Sequence, residues 1–113
     1  VIWGTGEQRR ELIYVEDAVD AMINLLNEEN EVFNLGSGVD NSINEFAEKV
    51  CKCYKYDYNL VKRDLTKYVG VKEKKIDTTK VVKHLGDKVF LKTSLDKGLQ
   101  KSVEYFIKAM ETK

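Results

Sequence analysis

Two adjacent arginines, Arg9 and Arg10, follow a tryptophan and two glycines in WGTGEQRRELIYVED, residues 3–17. These residue types suit the gripping of an anion. A guanidinium presents a planar fork of N–H donors that meets phosphate oxygens two at a time. Gly4 and Gly6 let the backbone turn and approach a ligand closely, and Trp3, the only tryptophan, offers a flat face for a base. Side chains alternate along a strand, so Arg10 is expected toward a site and Arg9 toward solvent. The competing reading is a hairpin carrying ordinary surface arginines.

The remaining chemical inventory is thin. His84 is the only histidine and sits in KHLG, at an expected helix C-terminus where dipole or carbonyl contacts suit it; no serine or cysteine nucleophile stands in a recognisable arrangement with it. The glycines of GSG, residues 36–38, sit where a phosphate loop would have them, but the position for its third small residue is Asn41. A tight turn into a capped helix is expected instead. Cys51 and Cys53 are the only cysteines. Two apart on a helix, they point to nearly opposite sides, which argues against a shared metal or disulfide, and no second pair completes a zinc site. Thiols without a disulfide framework fit a reducing cytoplasm.

The elements that must position these groups read as alternating strands and helices. VIW (1–3) is a strand stopped by glycine, and ELIYV (11–15) is a β-rich run leading to Asp17, the expected N-cap of a helix with Ala18, Val19, Met22, Ile23, Leu25 and Leu26 on a wide apolar stripe. EVFNLGSG (31–38) reads as a short buried strand and its turn. SINE (42–45) has the spacing of a capping box, followed by a helix with Ile43, Phe46, Ala47, Val50 and Tyr54 on one face. YNLVKRD (58–64) reads as a strand. DTTKVVKHLG (77–86) reads as a short helix with Asp77 as cap and Gly86 as stop, and residues 93–110 as a long helix with Leu95, Leu99, Val103, Phe106 and Met110 inward.

Composition places this chain among globular proteins: 42% apolar and 34% charged, too apolar for a disordered segment. No apolar run is long enough to span a membrane as a helix. The net charge is zero, but residues 1–48 hold two arginines against eleven acids and residues 49–113 hold seventeen basic against eight acidic residues. The lysines are spread over helical faces, so solvated surfaces are expected rather than nucleic-acid binding. The chain opens on valine inside a strand, and at 113 residues it reads as a fragment of a longer protein.

In order along the chain, WGTGEQRRELIYVEDAVDAM, FNLGSG, SINEFAE, DTTKVVKHLG and SLDKGLQKSVEYF resemble the C-terminal part of extended short-chain dehydrogenase/reductases, the NAD(P)-dependent sugar-nucleotide epimerases, dehydratases and reductases. The likeness is strongest to the branch that epimerises and reduces a GDP-4-keto-6-deoxy-hexose. The resemblance implies an α/β fold class, helix-rich with a few short strands, in which residues 1–113 form a C-terminal substrate-binding domain fragment and the Rossmann domain is mostly absent. Residues 31–35 would then be a late strand of that Rossmann sheet. It further implies that Arg10 holds the nucleotide diphosphate and that Trp3 lines the pocket for the guanosine. Lys74 inherits a substrate contact, since YVGVKEKKID (68–77) matches the family's D-G-T-P-R-K segment at Gly70 and Lys74, with Lys72 and Glu73 at its proline and arginine positions.

On the same likeness, NADP(H) or NAD(H) belongs to the parent enzyme's N-terminal domain, which carries the G-x-x-G-x-x-G loop and the catalytic Y-x-x-x-K pair. Both are expected to be absent from this chain, since YKYDY (54–58) lacks that pair's spacing, and the chain is expected to make no product alone and to bind no cofactor or metal. Its expected partners are a nucleotide sugar, a GDP-sugar above others, the Rossmann domain, and a second copy of itself through unmet sheet edges; neither nucleic acid nor membrane is expected. Another nucleotide sugar, a free-standing nucleotide-binding module and a purely structural self-associating piece are the rival readings.

Overall fold

The computed structural model describes residues 1–86 and 92–112. Among these residues five short strands and four helices are interspersed: β1 (Ile2–Trp3), β2 (Arg9–Glu11), α1 (Val15–Asn24), β3 (Asp40–Ser42), α2 (Ile43–Tyr54), β4 (Arg63–Asp64), β5 (Glu73–Lys74), α3 (Thr79–Leu85) and α4 (Leu95–Glu111). The expected mixed, helix-rich α/β class is what forms. β1 pairs with β4 in parallel. β2 lies at the centre of a three-stranded sheet, antiparallel to β3 and parallel to β5.

Helix α2 starts where the sequence places it. The Ser42 hydroxyl accepts from the Glu45 amide at 3.1 Å and the Glu45 carboxylate accepts from the Ser42 amide at 2.6 Å, so the capping box is complete. The other first-turn amides, which a helix leaves without partners, are taken up by the preceding turn: Ile43 donates to the Gln8 carbonyl and Asn44 to the Gly6 carbonyl, each at 3.0 Å. The helix thereby docks onto the glycine segment, and its outer face packs along α4.

Several boundaries differ from expectation for identifiable reasons. Asp17 does not cap α1: the cap position is Tyr14, without a side-chain bond, and Asp17 is buried within the first turn, bonded to Thr93. The strand expected at 11–15 ends at Glu11, the last residue with a partner in β3. Residues 31–35 form no strand, because no neighbouring strand among the described residues offers them a ladder; Phe33 and Leu35 instead pack on the small core around Ala21 and Val81. The strand expected at 58–64 divides into a 3-10 turn at Tyr58–Leu60 and β4. Helix α3 is capped at Thr78, yet the Asp77 carboxylate takes the Thr79 amide at 2.9 Å, and Gly86 ends the helix.

The apolar stripes are only partly used. In α1, Ala21 is fully enclosed while Met22 and Ile23 are exposed, as is Leu26 just beyond it; in α4, Val103 is buried but Phe106 and Met110 are more than half exposed. The inward set expected for α4 therefore holds over its first half, where α2 lies against it. No helix among the described residues is long and apolar enough to cross a membrane.

Candidate functional site

The sheet does to the two arginines what strand alternation requires. Arg10 lies in register with Asn41 of β3 and Lys74 of β5, and Arg9 with Ser42 and Glu73. Registered neighbours share a face, so Arg10 and Lys74 present their cations on one side and Arg9 on the other. Arg9 does not point free into solvent, as expected, but is clamped: its Nε donates to Asp40 Oδ2 at 2.6 Å, its Nη2 to the Asp40 carbonyl at 2.7 Å, and Glu45 stands 3.6 Å away. Arg9 thus ties β2 to β3 and the start of α2.

Arg10 is also held. Its Nη1 donates to the carbonyls of Arg9 at 2.6 Å and Val71 at 3.0 Å, and its Nη2 to the carbonyl of Val69 at 3.1 Å. Nε has no protein acceptor among the described residues, leaving a donor edge for an oxyanion. Lys74 is exposed in the adjoining strand.

Trp3 ends β1 and is 57% exposed, with its carbonyl accepting from Gln8 Nε2 at 3.2 Å. The turn after it has positive φ at Gly4 and Gly6, and a side chain at Gly6 would collide with Asn44, whose Oδ1 would lie 2.1 Å from a Cβ. Asn44 explains the need. Its Nδ2 donates to the Thr5 carbonyl, and its Oδ1 accepts from Tyr58 Oη and Arg63 Nη2 at 3.1–3.2 Å. Trp3, Arg10 and Lys74 are not in one contact; Trp3 and Arg10 border the stretch of residues 64–74 that ends in Lys74, with Lys67 Nζ 5.9 Å from the Trp3 ring centroid. On the Arg10 face a groove of about 740 Å³ runs between β2–β3 and α4, lined by Leu12, Tyr14, Val39, Asn41, Thr93 and Gly98 among others. Its size and mostly apolar walls suit an organic group of moderate size.

Reading by residue type passes over three residues here. Glu11, next to Arg10, accepts the Gly38 amide at 2.8 Å and the Ile76 amide at 3.0 Å, bracing both neighbours of β2. Its signal was its place beside the arginine. Asn44 and Lys67 had no local signal. The tyrosine–lysine spacing does occur, at Tyr58/Lys62 and Tyr68/Lys72, contrary to the expectation drawn from YKYDY. On an α-helix residues four apart stand one turn above each other as close neighbours, and neither pair lies on one. Tyr58 opens a three-residue turn and bonds to Asn44 and Arg63, while Tyr68 and Lys72 flank a loop glycine, Gly70, with positive φ. Away from this face, His84 Nε2 is 2.8 Å from Glu28 Oε1 and its ring packs on Phe33; Cys51 and Cys53 are free thiols.

Several carboxylates are held below their usual range by bonds to the charged form: Asp40 chiefly by the Arg9 side chain, Glu45 by the Ser42 amide, and Asp64 and Asp77 by the hydroxyls of Thr66 and Thr79. Such groups bind protons less readily folded than unfolded. Their stabilisation is therefore present above the ordinary carboxylate range and lost as pH falls through it. The thermal midpoint is expected to be flat near neutrality and to fall between about pH 5 and pH 3, with a shallower fall in Asp40→Asn. A circular-dichroism melt at each pH reads this; an unchanged midpoint across that span would contradict it.

A short mixed sheet thus sets an arginine and a lysine on one face beside a glycine turn. Residues 1–36 match the family model described as "NAD dependent epimerase/dehydratase family". A GDP-L-fucose synthase of Sinorhizobium fredii is 38% identical over 108 residues, 94% of this chain and 33% of that protein. A crystal structure of UDP-glucose 4-epimerase with UDP-glucose from Thermotoga maritima superposes with a TM-score of 0.81 at 35% identity, over 96% of this chain and 35% of that one. A dTDP-glucose 4,6-dehydratase from Bacillus anthracis in complex with NAD shares the fold, with a TM-score of 0.85 at 20% identity, over 97% of this chain and 35% of that one. This chain belongs to the NAD dependent epimerase/dehydratase family, and it spans about a third of the length of the curated relatives it matches.

Proposed function

We propose that this chain is the nucleotide-sugar-binding part of an NAD(P)-dependent sugar-nucleotide epimerase or reductase acting on a GDP-4-keto-6-deoxy-hexose. Arg10 takes the diphosphate through the donor edge left free at Nε, Lys74 adds a second cation, and Trp3 lies beside the base. NADP(H) or NAD(H) is bound by the Rossmann part of the parent enzyme. The observation that carries this reading is the register of Arg10 with Lys74, which sets two cations on one face of neighbouring strands about 5 Å apart.

Isothermal calorimetry with GDP, UDP and dTDP tests it. GDP is expected to bind saturably and more tightly than the others. Arg10→Ala should weaken it at least about tenfold, the worth of one charge-assisted contact. Absence of heat with every nucleotide would sink the reading, whereas equal binding of all three would remove only the choice of base. Mixed with NADPH and a keto-sugar nucleotide, the chain is expected to make no product, and measurable turnover would refute that division of labour. The exposed apolar residues of α1 and α4 support self-association, which light scattering should detect as a mass above the 13.0 kDa monomer.

A further inference from the structure

Residues 64–71 are tied down at both ends and pass over the tryptophan between them. At the first end, Gly4 donates to the Asp64 carbonyl at 2.8 Å, and the Asp64 carboxylate accepts from the amide and hydroxyl of Thr66 at 3.0 and 2.6 Å. At the second end, the carbonyls of Val69 and Val71 both hang on the Arg10 guanidinium. The stretch hugs the glycine turn so closely that a Cβ at Gly4 would lie 2.5 Å from Val69 Cγ1. Between the anchors, Lys67 holds its ammonium 5.9 Å from the centroid of the Trp3 ring, within the range of a cation–π attraction.

We infer that Lys67 is a positioning residue for the Trp3 indole, and that Arg10 couples the 64–71 strap, and Lys67 with it, to the presence of an oxyanion. The inference rests on Arg10 being the anion ligand of the proposed function. The same guanidinium serves two masters. An anion at its free edge draws it outward and shares its charge, and the two carbonyls that depend on it move in response. Lys67 rides on that strap, so the tryptophan meets a different field when the anion site is filled. The base end of the site is thereby reorganised by occupancy of the phosphate end.

The discriminating probe is inorganic pyrophosphate, which has no ring to touch the indole. A change it causes in Trp3 emission cannot come from a base stacking on the ring. The chain is titrated with pyrophosphate in parallel by calorimetry and by fluorescence of its single tryptophan, with GDP calorimetry alongside. Saturable heat is expected together with an emission shift of the same midpoint. Lys67→Gln should lose that shift while keeping affinity within about fivefold, the scale of one exposed cation, and Lys67→Arg should restore the shift. Heat without a shift, or a shift undiminished in Lys67→Gln, overturns the coupling and leaves the nucleotide-binding reading standing. No heat with either pyrophosphate or GDP overturns both.

Discussion

Asp17→Ala is expected to lower stability by about 3 kcal/mol, since it strands two donors that a charged acceptor now satisfies. Asp17 is 3% exposed and is the one charged residue buried among those described. Its two oxygens accept the Thr93 amide and the Thr93 hydroxyl, each at 2.9 Å. Those bonds tie the first turn of α1 to the segment that launches α4, 76 residues later. A buried carboxylate is costly unless its bonds are complete, so the pair is worth keeping only as a unit. Asp17→Asn keeps one acceptor and should lose about half as much. Urea unfolding followed by circular dichroism measures both. Against a total stability of order 5–15 kcal/mol, a loss under about 1 kcal/mol for the alanine variant would mean the link carries little.

Glu11→Ala is the second large effect, and it should reach both stability and binding. The carboxylate joins the loop before β3 to the segment after β5, through the amides of Gly38 and Ile76, with β2 between them. Two charge-assisted bonds are lost together, again about 3 kcal/mol. Lys74 lies two residues before Ile76, so releasing that amide also loosens the register of Lys74 with Arg10. Hydrogen exchange at the Gly38 and Ile76 amides is expected to quicken in Glu11→Ala, with weaker GDP binding than the wild type. Glu11→Gln turns one acceptor into a donor facing a donor and should resemble alanine more than wild type. Gly36→Ala should mimic both from the other side, because its Cβ would lie 2.1 Å from Glu11 Oε1 and drive the carboxylate off. Unchanged exchange at both amides in Glu11→Ala would contradict the brace.

Local devices were legible without a fold. The capping box at Ser42 and Glu45, the glycine stop at Gly86 and the opposite facing of Arg9 and Arg10 depend on residues at most four apart, where backbone geometry alone dictates the outcome. Family membership was legible for a similar reason: an ordered series of short motifs lies in the sequence itself. Misplacements arose where a residue had a distant partner. Asp17 has the chemistry of a cap, but Thr93 bids for it through tertiary contact. Residues 31–35 have the composition of a buried strand, yet a strand exists only as one side of a ladder, and the ladder is not a local property.

By itself, then, the sequence determined which segments become helices, which arginine faces which side, and to which family the chain belongs. Only the tertiary structure decided what those arginines touch: Arg9 bound to Asp40, Arg10 carrying two carbonyls of the strap, Glu11 bracing both neighbours. Hydrogen bonds and charges act over a few ångströms irrespective of separation along the chain. Residues 27 to 65 positions apart therefore meet only once the sheet has set its register, and that register sets the candidate site.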